Sequence, residues 1–202
     1  AVTRPAGRHA RERGVSGRNP AATAGVARVY AGGAACVARF AQDGTGPALS
    51  AIVSLADLHR LLVPRTVALI GAGAWTDAVA KGAETLGYTG QIWRIHPSRR
   101  STPQTHYYRS VDELPDAPDA AFIAVPNHEV PAIAAALSRR EAGGFVCFSA
   151  GFSETATPQG EQLTRELTRG AGSLPFLGPN CYGMVNFFDR VALWPDQVVG
   201  EP

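Results

Sequence analysis

The chain has few of the residues that would indicate a membrane protein, a secreted disulfide scaffold or a nucleic-acid-binding protein. Lys81 is its only lysine, and the net charge of the 202 residues is only +2, which gives no strong electrostatic argument for nucleic acid. No apolar run approaches the length needed to cross a membrane. The three cysteines, Cys36, Cys147 and Cys181, are odd in number and far apart. They argue against a disulfide framework or a zinc site and favour a reducing, cytoplasmic compartment.

The first 50 residues are rich in alanine, glycine and arginine and show no sustained hydrophobic period. Residues 1–20 hold five arginines against a single acidic residue, Glu12. This composition predicts a flexible, disordered leader at 1–50. An organelle-targeting segment, a nucleic-acid-binding arm and a mistranslated upstream extension are the alternatives left open. Because Met184 is the only methionine, we expect a processed or partial chain, with residues 191–202 beginning a linker to a further domain.

Strand-like and helix-like stretches alternate from residue 51 to residue 190. Strands are predicted at 66–71, 91–96, 120–125, 145–149 and 174–177. Helices are predicted at 55–62, 74–86, 130–142 and 158–169, with a short helix at 110–114. Alternation with short connections is typical of βαβ units. The sequence therefore predicts one α/β domain at 51–190, with a Rossmann-like parallel sheet flanked by helices.

The loop after the first predicted strand, Gly71-Ala72-Gly73-Ala74-Trp75-Thr76, has the composition of a phosphate-binding turn. Ligands of such sheets bind beyond the carboxyl ends of the strands. Two glycines permit a tight turn, and the next helix offers free N–H groups to an anion. Thr76, however, stands where the dinucleotide-binding fingerprint has its third glycine. The loop alone therefore leaves open a nucleotide site or a tight turn without a ligand.

The loop after the second predicted strand is basic. It reads I-H-P-S-R-R at 95–100, and it lacks the acidic residue that holds the ribose hydroxyls in NAD-binding folds. Arg99 and Arg100 stand where a sugar would lie, and guanidinium groups bind phosphate through paired donors. This favours a phosphorylated ribose, as in NADP or coenzyme A, over NAD. A solvated basic turn is the alternative.

Three further strand-end loops carry distinctive motifs. They read A-V-P-N-H-E-V-P at 124–131, F-S-A-G-F-S-E at 148–154 and L-G-P-N-C-Y-G-M-V-N at 177–186. The order IGA, HP, AVP, VP, SAGFSE, LGPNCYG resembles the CoA-binding domain of NDP-forming acyl-CoA synthetases, which are relatives of the succinyl-CoA synthetase α subunit. The resemblance covers about residues 55–190. Trp75 departs from it, because small or polar residues are usual at that position.

The resemblance implies where coenzyme A would bind. Residues 73–76 would meet its phosphates, 97–99 would border the adenosine, and Arg99 would replace the family's basic phosphate contact. Residues 125 and 126 would wall the path to the pantetheine arm, which 148–150 would contact. Residues 178–181 would shape the pocket near the thiol. The predicted binding residues are Gly71, Gly73, Ala74, Trp75, Thr76, Pro97, Arg99, Val125, Pro126, Phe148, Ser149, Ala150 and Asn180.

The resemblance also implies that the catalytic residue lies elsewhere. In the family, an organic acid, CoA and a nucleoside triphosphate give acyl-CoA, the diphosphate and phosphate, through an acyl phosphate and a phosphohistidine of a later domain. His59, His96, His106 and His128 match no such position, and no histidine is placed beside Cys181. We therefore expect no catalytic residue and no metal ligand in this chain.

The expected ligands are CoA and an acyl substrate, and the expected partners are downstream ligase domains or a β-type subunit rather than nucleic acid or a membrane. The acyl group and the choice between ADP and GDP cannot be read from the sequence. Two alternative functions stay open. An NADP-dependent oxidoreductase would also use Arg99 and Arg100, and a non-enzymatic CoA-sensing module would bind the same ligand.

Overall fold

The computed structural model describes residues 55–198. The leader predicted at 1–50 therefore lies outside the described residues. The described helices are α1 (Leu55–Leu62), α2 (Ala74–Thr85), α3 (Val130–Arg139) and α4 (Pro158–Ala171). The described strands are β1 (Thr66–Gly71), β2 (Gln91–Ile95), β3 (Tyr107–Tyr108), β4 (Ala120–Ala124), β5 (Phe145–Cys147), β6 (Phe176–Leu177), β7 (Met184–Asn186) and β8 (Val191–Leu193). Within the described range, no helix combines the length and the apolar character that crossing a membrane requires.

Six parallel strands form the main sheet in the order β3-β2-β1-β4-β5-β6, which confirms the predicted Rossmann-like fold. β1 pairs on one side with β2 and on the other with β4, where Gly71 lies opposite Ala124. The chain proceeds outward in opposite directions from these two central strands. A crevice is therefore expected beyond Gly71 and Ala124, which is the usual ligand position in open α/β sheets.

Both faces of the sheet are covered, which explains the continuous apolar run in β1. Ala68 and Ile70 belong to one core with the buried residues of α3 and α4. Val67 and Leu69 belong to a second core with Val79 of α2 and residues of β7 and β8. Successive side chains of a strand point to opposite faces, so a strand buried on both sides has no polar alternation.

A buried carboxylate fastens α1 to the amino-terminal edge of the sheet. Asp119 is 7% exposed and accepts hydrogen bonds from Arg60 Nε at 2.7 Å, Arg65 N at 2.9 Å and Thr66 N at 3.3 Å. Arg60 Nη1 also donates to the Glu141 carbonyl at 2.8 Å. Burial favours a higher pKa for Asp119, but these hydrogen bonds and the charge of Arg60 outweigh it and hold the pKa below its ordinary value.

The antiparallel hairpin formed by β7 and β8 is the main element that the sequence did not predict. Asn186 Oδ1 accepts hydrogen bonds from the backbone N–H groups of Phe188 and Asp189, which closes the turn. Leu193 is completely buried, so the packed unit continues beyond residue 190, where the linker was predicted to begin. Strand β3 was also not predicted, and the short helix expected at 110–114 is a 3₁₀ turn at Val111–Glu113.

Candidate functional site

The two glycines of the first loop have different surroundings. Gly71 has a φ of 115°, and a β-carbon there would collide with the carbonyl oxygen of Ala124 in the neighbouring strand. Gly73 has a φ of 99°, but a β-carbon there would have no atom within 4 Å. Gly71 is therefore required by the close packing of β1 on β4. Gly73 borders open space at the start of α2, which a ligand can enter.

The amino terminus of α2 is suited to an anion. Gly73 occupies the cap position and offers no side-chain hydrogen bond, so the first-turn amides have no cap from it. Thr76 is buried, and its hydroxyl donates to the Gly73 carbonyl at 3.2 Å, which braces the loop. Asp77 would oppose an anion, but its carboxylate pairs with Arg94 Nη1 at 2.6 Å. The arginine thus compensates the acidic charge nearest to the loop.

The turn after β2 presents an arginine at the surface. His96 Nδ1 accepts hydrogen bonds from the backbone N–H groups of Ser98 at 3.2 Å and Arg99 at 3.1 Å. This makes His96 a residue that closes its own turn. Pro97 and Arg99 are exposed, and the Arg99 guanidinium carbon lies 6.0 Å from the centroid of the Tyr107 ring. The exposed guanidinium is therefore accessible to a ligand phosphate.

Hydrogen bonds join the loops after β4 and β5 into one wall. The Ser149 hydroxyl donates to the Val125 carbonyl at 2.6 Å, and Asn127 Nδ2 donates to the Gly151 carbonyl at 3.4 Å. The Glu154 carboxylate accepts from Gly151 N at 2.6 Å. Because Ser149 is buried, its hydrogen bond is shielded from water, and the two loops hold a fixed relation.

A cleft of about 320 Å³ opens along this wall at the carboxyl ends of the strands. Its lining combines aromatic, small and polar side chains and includes no Asp, Glu, Lys, Arg or His. The lining residues are Trp75, Ala124, Val125, Phe148, Ser149, Ala150, Asn180, Cys181 and Tyr182.

Six of the predicted binding residues line this cleft, namely Trp75, Val125, Phe148, Ser149, Ala150 and Asn180. The other predicted residues do not line it: Gly71, Gly73, Ala74 and Thr76 lie in the first loop and the start of α2, Pro97 and Arg99 in the turn after β2, and Pro126 next to Val125. The binding roles of all thirteen residues, inside and outside the cleft, stay predictions. Ala124 and Tyr182 line the cleft without having been predicted as binding residues, and Cys181, which also lines it, was predicted only to shape the pocket near the thiol. The motif G-P-N-C-Y-G contained a signal for the last two, and the end of a central strand contained one for Ala124.

Trp75 forms part of the cleft wall. Its side chain is 48% exposed, and its ring centroid lies 4.9 Å from that of Phe148 with the ring planes tilted by 47°. The space beside Gly73 stays open. Trp75 therefore leaves the start of α2 accessible and extends the aromatic surface of the cleft.

The cysteines near the cleft are buried. Burial raises the pKa of Cys147 to about 12, and its thiol donates a hydrogen bond to the Ser149 carbonyl. Cys181 is 2% exposed, and its backbone N–H donates to the Cys147 carbonyl at 3.2 Å. A thiol with so high a pKa is a poor nucleophile at neutral pH, so Cys147 is unsuited to covalent catalysis. Between residues 55 and 198, no group of three or more His, Cys, Asp or Glu side chains could hold a metal ion.

The family described as "CoA binding domain" matches residues 65–186, which is more than half of the chain. The chain belongs to this CoA-binding-domain family. The match includes the loop after β1, the turn after β2, the loops after β4 and β5 and the whole lining of the cleft. The resemblance inferred from the motifs is confirmed.

The similar proteins include several CoA ligases. A prokaryotic trans-feruloyl-CoA synthase is 34% identical over 67% of this chain and 20% of its own length. An ADP-forming acetate–CoA ligase of Archaeoglobus fulgidus is 33% identical over 64% of this chain and 19% of its own length. The alpha subunit of an ADP-forming acetate–CoA ligase of Pyrococcus furiosus is 30% identical over 63% of this chain and 30% of its own length. The chain thus spans about a fifth of the first two relatives.

A solved structure supports the same relation. The apo form of a dinucleotide-forming acetyl-coenzyme A synthetase of Candidatus Korarchaeum cryptofilum matches with a TM-score of 0.63 and 26% identity. The match covers 71% of this chain and 32% of that one. The Rossmann-like domain of this chain is therefore similar to one part of a larger synthetase.

Proposed function

We propose that this domain binds coenzyme A along the carboxyl edge of its sheet and serves as the CoA-binding part of an NDP-forming acid–CoA ligase. The observation that carries the proposal is the separation of charge at that edge. The helix amides and an exposed arginine lie on the β1 and β2 side, and an uncharged cleft lies along β4, β5 and the loop after β6. Coenzyme A has the matching division, because its phosphates are anionic and its pantetheine arm is neutral.

The proposed binding mode follows that division. The pyrophosphate would meet the backbone amides of residues 74–76, since Gly73 leaves room for it. The 3′-phosphate would pair with Arg99, because guanidinium offers several donors to phosphate oxygens. The pantetheine arm would run along Phe148 and Ser149, and the thiol would lie near Asn180.

The reaction of the whole protein belongs to the proposal, because this chain spans only about a fifth of the first two ligase relatives. We infer that the chain holds CoA, while further domains or a partner subunit supply the phosphohistidine chemistry. The name of the Pyrococcus furiosus relative, an alpha subunit, supports a partner subunit, and several relatives are named as ADP-forming. The named acids differ among relatives and include acetate, 4-hydroxybutyrate and, by the synthase's name, a feruloyl group.

Parallel calorimetric titrations of the 202-residue chain with CoA and NADPH test the proposed ligand. We expect CoA to bind and NADPH to bind much more weakly, because the uncharged cleft accommodates the pantetheine arm. Binding of NADPH without binding of CoA would refute the proposal and favour the oxidoreductase alternative.

Replacement of Arg99 by alanine tests the phosphate contact. Because Arg99 is exposed, we expect the loss in CoA binding energy to lie toward the lower end of about 1–3 kcal/mol. Binding of dephospho-CoA, which lacks the 3′-phosphate, should change little. Arg165→Ala is the matched control, since Arg165 is an exposed arginine on α4. Equal losses for both ligands in Arg99→Ala would contradict the assigned contact.

A further inference from the structure

Two of the five large hydrophobic side chains that are exposed in the described part of the chain face the cleft. These are Trp75, 48% exposed, and Tyr182, 44% exposed. A soluble domain gains nothing in stability by leaving such rings in water, because burial of apolar surface is favourable. Their place in the cleft indicates a surface that a ligand covers.

Tyr182 is held in place by other aromatic rings. Its centroid lies 5.5 Å from that of Phe148 in an edge-to-face arrangement and 5.3 Å from that of Trp194. Phe148 in turn contacts Trp75 at 4.9 Å and the fully buried Phe122 at 5.7 Å. A ring fixed in this way loses little conformational freedom when a ligand stacks on it. The cleft therefore has a preorganised aromatic wall.

The polar groups of the cleft restrict what can lie against this wall. No Asp, Glu, Lys, Arg or His lines the cleft. A ligand group that carries a free carboxylate would therefore meet no opposite charge there. The Ser149 hydroxyl already donates to the Val125 carbonyl. Asn180 and the tyrosine hydroxyl are the principal polar groups left for orientation. A planar, uncharged group fits this lining better than a dicarboxylic one.

We propose that Tyr182, held by Phe148 and Trp194 at the Asn180 end of the cleft, binds an aromatic acyl group carried on the sulfur of CoA, so that the acid substrate is an aromatic monocarboxylic acid. The inference rests on the proposed function, which places the CoA thiol near Asn180. Tyr182 follows that residue by two positions and lines the same cleft, so an acyl group on the thiol reaches its ring first.

The test compares four ligands by calorimetry on the 202-residue chain: CoA, acetyl-CoA, benzoyl-CoA and succinyl-CoA. We expect benzoyl-CoA to bind about three- to tenfold more tightly than acetyl-CoA, as one or two aromatic contacts allow. Succinyl-CoA should bind more weakly than acetyl-CoA, because its free carboxylate lacks a cation in the cleft. Tyr182→Leu should reduce the preference for benzoyl-CoA to less than about twofold.

Two variants control the comparison. Tyr182→Phe keeps the ring and should keep the preference for benzoyl-CoA. Phe188→Leu removes a fully exposed ring that does not line the cleft, and it should change neither affinity nor preference. Circular dichroism of each variant verifies the fold, and the wild-type ratio decides the matter even where Tyr182→Leu does not fold.

The outcomes separate this inference from the function on which it rests. If the chain bound CoA but had equal affinities for acetyl-CoA and benzoyl-CoA, the inference about the acyl group alone would be refuted. A preference that survives unchanged in a folded Tyr182→Leu would also overturn it. If the folded chain bound none of the four ligands, the proposed CoA site would fall, and the acyl inference with it.

Discussion

Replacement of Gly73 by alanine should separate ligand binding from folding. The residue lies at φ 99° and ψ −160°, a backbone region that is essentially restricted to glycine. An alanine held there would cost about 1–3 kcal/mol of folding free energy. Because no atom lies within 4 Å of the added β-carbon, no collision increases this cost. We expect Gly73→Ala to fold with that moderate loss of stability.

CoA binding should respond much more strongly than stability. The added methyl group would occupy the open space beside the first turn of α2, and relaxation of the strained backbone would turn the loop amides away from the ligand phosphates. Loss of two such hydrogen bonds to a charged group, at about 1.5 kcal/mol each, weakens binding by about 3 kcal/mol. Calorimetry should therefore show a rise in Kd on the order of a hundredfold, with urea denaturation reporting stability in parallel.

Two other glycines calibrate the experiment. Gly172, at φ 60° after α4, has only the Ser138 hydroxyl within 4 Å of an added β-carbon, so Gly172→Ala should lose similar stability without affecting CoA. Gly71→Ala adds a collision with the Ala124 carbonyl to its backbone strain, and it should lose about 4 kcal/mol or more. A folded Gly73→Ala that binds CoA as tightly as the wild type would refute the assignment of this loop to the phosphates.

Three further substitutions test the surroundings of the site. Asp119→Ala should lower the free energy of unfolding at pH 7 by about 2–4 kcal/mol, because Arg60 loses its partner. Since the folded pKa of Asp119 lies below its ordinary value, the carboxylate stabilises the fold above about pH 4, and this contribution is lost as the pH falls through the folded pKa. Urea denaturation at a series of pH values should therefore show that the stability of the variant falls less steeply in acid than that of the wild type. Cys147, with its pKa raised to about 12, should resist iodoacetamide at pH 8 in the folded chain and react in the unfolded chain, as peptide mapping would show. Equal rates of Cys147 labelling in the folded and the unfolded chain would contradict its burial. Ser149→Ala should cost about 0.5–1.5 kcal/mol of stability and weaken CoA binding, because the hydrogen bond from Ser149 to Val125 joins two loops of the cleft. An unchanged affinity for CoA by calorimetry would exclude a role of this hydrogen bond in shaping the site.

The parallel sheet could be predicted because its signals are local. A strand buried on both faces reads as an apolar run, and helices of ten or more residues have distinct beginnings and ends. In α4, Pro158 is the first residue and the Thr157 side chain accepts from Gly160 N, so the start of the helix is fixed by adjacent residues. The β7–β8 hairpin could not be predicted in this way. Each strand has three residues, and their pairing depends on the Asn186 turn and on burial against α2.

The candidate site was predictable only where a motif lies at the end of a strand and lines the cleft. The segments around Phe148 and Asn180 were predicted from their motifs, and they line the cleft. The motif G-P-N-C-Y-G places Tyr182 at a strand end, but the orientation of its ring depends on contacts with Phe148 and Trp194, which lie elsewhere in the chain. The compensation of the Asp77 charge also depends on a distant residue, because its partner Arg94 lies 17 positions further along the chain.

The glycine missing from the first loop has a counterpart further along α2. In the dinucleotide-binding fingerprint the third glycine allows close helix packing, whereas here Thr76 is buried at that position. Gly82 lies on the same helix, and a β-carbon there would come within 3.2 Å of the Val198 side chain and within ordinary contact distance, 3.7 Å, of Ala192 in β8. Helix α2 therefore packs on β8 of the hairpin and comes closest to the segment that follows it. Because Tyr182 precedes that hairpin and Trp75 begins α2, this packing connects the two aromatic ends of the cleft. The short strand beyond residue 190 thus supports the site although it contributes no lining residue.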